Sequence, residues 1–234
     1  MSEDQKNNIR EHLYKAGFLP MFSHPDRQIT LEIVRALYNG GVRVIEFTNR
    51  PHEALDIFRW LKKNTAERMP GLALGAGTIL NEEQANSFSG EGADFLVSPV
   101  TDEEVGTYCI SKNIFWCPGA ATPTEILHAH KLGADLVKVF PAEQLGGPEY
   151  IRSVMAPCPW LKLMPTGGVK PQKSDLESWY KAGAKVVGVS SRLFTREIME
   201  SGNFESITAR VESLLNDTAS INRQNKNLED HVNK

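Results

Sequence analysis

A lysine and a glutamate set the chemistry open to this chain. Lys138 stands in the run DLVKVF, Asp135 to Phe140, between Val137 and Val139. Such an apolar, β-branched stretch predicts a buried strand. Burial disfavours the ammonium, so the side chain either reaches water along its stem or is held partly neutral, and a neutral amine is a nucleophile. Glu46 comes late in a second run, VRVIEF from Val42. Alternation places Val44, Glu46 and Thr48 on one face and Arg43, Ile45 and Phe47 on the other, while Lys138 shares its face with Leu136 and Phe140. Glu46 alone is equally consistent with a structural ion pair or a strand end in water, and most lysines lie on surfaces. Brought together, the two would be the minimum equipment for imine chemistry: an amine to attack a ketone, and a carboxylate to move protons.

Other segments offer the means to hold a substrate. In PTGG, Pro165 to Gly168, two glycines let backbone amides approach an anion, although the same four residues are equally a tight turn. In GVSSRLF from Gly188, Ser190 and Ser191 supply hydroxyls ahead of a short helix. Thr78, ending GAGT, is a hydrogen-bond donor, whereas Thr122, followed by Pro123 and Glu125, reads as a helix start. Arg50 follows Glu46 by four residues; its planar fork suits a carboxylate, and a solvated loop arginine is the plain alternative.

These residues need a scaffold, and the chain has the pattern for one. Eight short apolar runs alternate with longer amphipathic stretches, beginning near Phe18, Val42, Leu72, Asp94, Ile114, Asp135, Leu161 and Lys185. Four helix-to-strand junctions carry small residues: Gly40-Gly41, Gly92-Ala93, Gly133-Ala134 and Gly183-Ala184. Glycine past a helix end takes the left-handed cap that other residues resist. Eight βα units predict an α/β fold, a (β/α)8 TIM barrel, with an extra helix from about Asp4 to Lys15 before the first strand. A doubly wound open sheet shares the punctuation, and the count of eight favours the barrel. In such a barrel the site sits at the carboxyl ends of the strands. The expected organisation is one barrel over 1–215 and a polar tail over 216–234, loosely ordered and contributing little to the core.

Composition narrows the partner. With 234 residues, 41% hydrophobic and 24% charged, the chain has material for one sizeable core, and its net charge of -3 with no basic run gives no reason to expect nucleic acid or an anionic membrane. Cys109, Cys117 and Cys158 are widely spaced and odd in number, which argues against disulfides and a zinc site and for a reducing, cytoplasmic setting. The N-terminus lacks a signal-peptide core, and no run approaches the roughly 20 apolar residues of a membrane span.

VRVIEFTNR, GAGTIL, SPV, CPGAATPTE, VKVFPAE and PTGGV occur in this order between about Phe18 and Leu215. In this the chain resembles the 2-keto-3-deoxy-6-phosphogluconate (KDPG) aldolase family. The resemblance implies a trimeric (β/α)8 class I aldolase that needs no metal or other cofactor. Such an enzyme cleaves KDPG to pyruvate and glyceraldehyde 3-phosphate, and some members act on 4-hydroxy-2-oxoglutarate. It implies Lys138 as the Schiff-base lysine and Glu46 as the general acid/base. Arg50 and Thr78 match positions for the pyruvate-derived carboxylate and nearby oxygens, Pro99 and Phe140 match pocket walls, and Gly167, Gly168 and Ser191 match the phosphate site. The chain departs from the family's usual glycine at Ser190 and Val100, where a side chain would narrow the pocket. The alternatives are an aldolase for an unphosphorylated or epimeric keto acid, and a non-catalytic barrel that binds a phosphorylated metabolite, which would need neither Lys138 nor Glu46.

Overall fold

The eight apolar runs become eight staves of one parallel barrel, the fifth of them in two pieces. The structure, a computed structural model, describes residues 1–232. In chain order the elements are α1 (Glu3–Ala16), β1 (Phe18–Phe22), α2 (Arg27–Asn39), β2 (Val44–Thr48), α3 (Ala54–Thr65), β3 (Ala73–Gly77), α4 (Glu82–Gly90) and β4 (Phe95–Val97). Then follow α5 (Glu103–Ser111), β5 (Phe115–Cys117), β6 (Gly119–Ala120), α6 (Pro123–Lys131), β7 (Val137–Val139), α7 (Gly147–Met155) and β8 (Leu163–Pro165). The last are α8 (Lys173–Lys181), β9 (Val187–Val189), α9 (Arg196–Ser201) and α10 (Glu205–Val232).

Two ribbons, β5-β4-β3-β2-β1-β9 and β6-β7-β8, carry the pairings. They meet at Pro118, which has no N–H to donate, so the fifth stave leaves β4 and is taken up by β7. At the other seam a bridge from Thr166 to Gly188 and a 2.9 Å hydrogen bond from the Lys185 N–H to the Leu163 carbonyl join β8 to β9. The ring closes as the (β/α)8 barrel expected. The junction glycines Gly41, Gly92, Gly133 and Gly183 all have positive φ, between 85° and 104°.

Strand alternation sorts the side chains into two cores. Leu19, Met21, Val44, Phe95, Phe115, Leu136 and Met164 fill the barrel, whereas Ile45, Phe47, Val137 and Val139 pack outward against the helices. The extra helix α1, capped by a reciprocal Ser2–Gln5 pair, contributes Ile9 and Leu13 to the inner core. Burying each stabilises by about 1.5–3 kcal/mol. Asp135, at the start of the lysine run, holds α1 in place: Lys6 Nζ lies 2.9 Å and Arg10 Nη2 2.8 Å from its carboxylate, which also accepts the Trp116 N–H at 3.0 Å.

The stretch from Asn216 corrects the expectation of a loose tail. It continues α10, with Thr218 and Ile221 0% and 1% exposed. Ile207, Val211, Leu214, Thr218 and Ile221 recur at spacings of four and three, one helical stripe whose fourth member is a threonine. A hydropathy reading breaks off at Thr218, which is why the stripe goes unseen in sequence. Residues 233–234 of the expected tail lie outside the described residues.

Candidate active site

β2 carries Glu46 into the barrel, as alternation predicts. It is 0% exposed, and among the described residues neither carboxyl oxygen has a hydrogen-bond partner. Burial pushes its pKa above the ordinary carboxyl range, while Lys138 and, less strongly, Arg50 pull it down. Room comes from β3, which pairs with β2 in register: a Cβ on Gly75 would strike the Phe95 ring, and one on Gly77 would strike the Glu46 carboxyl itself. The two glycines of GAG are thus explained by packing.

Lys138 lies on β7, 6% exposed, with its backbone N–H donated to the Pro118 carbonyl at 2.8 Å. Parallel partners on both sides, Gly119 of β6 and Met164 of β8, fix its direction. Its Nζ sits 5.4 Å from the centroid of the Phe140 ring. Cys117 is also in the inner core, and burial pushes its thiol pKa up.

Above the strand ends a cavity of about 260 Å³ is lined by Lys138, Arg50, Thr78, Pro99, Phe140, Gly167, Gly168 and Ser191. Every predicted site residue but Glu46 therefore meets in one space, and Glu46 is coupled electrostatically to Lys138 and Arg50. Thr78 holds a left-handed backbone, φ 62°, unusual for a β-branched residue and typical of sites where surrounding structure imposes strain. The family model for KDPG and KHG aldolase matches residues 9–210. The chain belongs to the KDPG and KHG aldolase family.

Two relatives match along nearly their whole length. The 2-dehydro-3-deoxy-phosphogluconate aldolase of Treponema pallidum is 31% identical over 208 residues, 88% of this chain and 96% of that one. The KHG/KDPG aldolase of Escherichia coli is 30% identical over 203 residues, 87% of this chain and 92% of that one. Among solved structures, the KDPG aldolase of Legionella pneumophila, with pyruvate captured as a covalent carbinolamine, superposes with a TM-score of 0.78 at 26% identity, covering 86% of this chain and 96% of that one.

Within this aldolase the two departures from the family pattern separate. Ser190 lines the cavity that holds Lys138, whereas Val100, 50% exposed, lines a neighbouring cleft with Pro99 and Phe140. Gly168 has φ 91°, and a Cβ there would collide with the Glu143 side chain, so packing demands glycine whatever the loop binds. Sequence reading missed Met21, Thr166, Val169, Gly188 and Arg192 in the cavity wall. Met21 was within reach, since alternation along β1 turns it inward with Leu19; Arg192 follows a serine already singled out. The helix expected after that serine starts only at Arg196 and is six residues long. Among the described residues no group of three or more His, Cys, Asp or Glu side chains is placed to hold a metal, and no helix is long and apolar enough to cross a membrane.

Proposed function

We propose that this aldolase cleaves KDPG to pyruvate and glyceraldehyde 3-phosphate through a Schiff base on Lys138. The observation that carries the reading is the buried, unpartnered carboxyl of Glu46 coupled to Lys138 at a cavity rimmed by Gly167, Gly168 and Ser191. Lys138 Nζ, as the neutral amine, adds to the C2 carbonyl, and the carbinolamine takes a proton from the Glu46 carboxyl and loses water, giving an iminium and the Glu46 carboxylate. The Glu46 carboxylate then takes the C4 hydroxyl proton as the C3–C4 bond breaks; the bonding pair moves to C3 and into the iminium, leaving an enamine and the aldehyde. Glu46 returns its proton to C3, and water hydrolyses the pyruvate imine, freeing the amine. Arg50 and Thr78 hold the carboxylate end, Pro99 and Phe140 wall the pocket, and the glycines with Ser191 hold the phosphate.

The carbinolamine captured in the Legionella pneumophila aldolase supports the covalent route. Borohydride reduction in the presence of pyruvate should leave a stable adduct on Lys138, and KDPG should be turned over. An unchanged mass, or an adduct elsewhere, would overturn the assignment. A second reading, preference for unphosphorylated 4-hydroxy-2-oxoglutarate, is favoured by Ser190 in the cavity wall; turnover of the two substrates side by side decides between them. The reading also carries a homotrimer in the cytoplasm, for which sedimentation equilibrium and cell fractionation are the checks.

A further inference from the structure

Several arginines of this protein hold carboxylates, among them Arg35 with Glu32, Arg59 with Glu91, Arg152 with Glu149 and Arg196 with Glu200, while Arg27 and Arg43 stack on the Trp60 and Tyr38 rings. Arg50 and Arg192 form no such pair among the described residues, and both line the cavity that contains Lys138. They arrive from different staves. Arg50 follows β2 and Arg192 follows β9, with β1 and its Met21 between them in the barrel wall.

Two guanidiniums without protein counter-ions in one cavity fit a ligand with two anionic ends. In the proposed function Arg50 answers the keto acid's carboxylate, which leaves Arg192 for a second anion. Ser190 and Ser191 immediately precede Arg192, and Gly167 and Gly168 line the same cavity. Arg192 also lines an adjoining cavity of about 430 Å³ with Lys170 and Arg210. The carboxylates on that side are Asp217, in the second cavity, Glu143, packed on Gly168, and Asp175, which accepts the Lys170 N–H at 2.8 Å; none of them forms an ion pair with Arg192 among the described residues.

We propose that Arg192 determines substrate specificity by binding the distal phosphate, so that the enzyme selects a phosphorylated keto acid over its counterpart with a neutral hydroxyl end. The inference rests on the proposed function and adds to it a charged contact beyond the glycines and Ser191. A guanidinium meets phosphate with two parallel N–H donors, a geometry that a neutral hydroxyl end cannot reward.

The test is the ratio of kcat/KM for KDPG to that for 2-keto-3-deoxygluconate, which has the same carbon chain and no phosphate. Arg192→Ala should lower this ratio about 10- to 100-fold, the scale of one charge-assisted hydrogen-bonding group. Arg192→Lys, which keeps the charge but loses the fork, should fall between Arg192→Ala and wild type. Should the alanine variant fail to fold, Arg192→Gln is expected to give the same loss as predicted for it. An unchanged ratio in a folded variant overturns the proposal, and so does an equal loss on both substrates. Pyruvate trapping on wild-type Lys138 separates the two levels: trapping with an unchanged ratio sinks only the role of Arg192, whereas no trapping sinks the proposed function and this inference with it.

Discussion

Glu46 on β2 and Gly77 on β3 share one volume: a Cβ on Gly77 would fall inside the Glu46 carboxyl group. The barrel can bury that carboxyl because the neighbouring strand gives up a side chain at this point. Gly77→Ala should therefore impair catalysis without altering any chemical group. We expect kcat to fall on the order of 100-fold, the scale of an ångström-sized misplacement, and stability to fall by about 1–3 kcal/mol from overpacking. In a double-mutant cycle Gly77→Ala and Glu46→Gln should be strongly non-additive, and simple additivity would show that the glycine serves something other than the carboxyl.

The raised pKa of Glu46 has consequences for both rate and stability. In the proposed mechanism the ionised form takes the C4 proton, so the acid limb of the kcat profile should lie above the ordinary carboxyl value of 4.5. For stability, the folded protein resists ionising Glu46, so relative to acid pH it loses stability as pH rises from the unfolded pKa through the higher folded one. Glu46→Gln carries no such burden. Its melting temperature should match wild type near pH 4 and exceed it increasingly toward pH 8; a gap independent of pH would contradict the buried, pKa-raised carboxyl.

Lys138→Ala should show neither the borohydride-trapped pyruvate adduct nor KDPG cleavage, with the fold retained by circular dichroism. Lys162 and Lys185 serve as internal controls, both on the protein surface and Lys185 over the Tyr14 ring. Peptide mapping by mass spectrometry reads the outcome, and an adduct on either control lysine would exclude Lys138 as the nucleophile.

EDTA should leave the rate of KDPG cleavage intact, because in the proposed route an iminium serves as the electron sink that a Lewis acid would otherwise supply. Loss of activity with chelator and recovery with a divalent ion would refute that route.

The part of α10 that carries Thr218 and Ile221 is predicted to stabilise the barrel. Ile221→Ala should lower unfolding free energy by about 2–5 kcal/mol, as for other buried large-to-small changes, while exposed Asn222→Ala should change it by less than about 0.5 kcal/mol. Denaturant midpoints for the two variants distinguish a packed helix from a dispensable extension.

Local pattern determined most of this protein. The eightfold alternation, the junction glycines and the inward faces of Glu46 and Lys138 follow from short-range sterics and from period-two side-chain direction, which act within a few residues and can be read from the chain. What only the tertiary structure decided were relationships between residues far apart in sequence: the Asp135 anchor for Lys6 and Arg10, the accommodation of Glu46 by Gly77, the Glu143 contact that fixes Gly168, and Arg192 in the same cavity as Arg50. The helix past Asn216 belongs with these, because Thr218 and Ile221 are buried only where α10 meets the rest of the fold. Closing the ring sets which strands are neighbours, and shared volume and charge between neighbours are properties that no single segment carries.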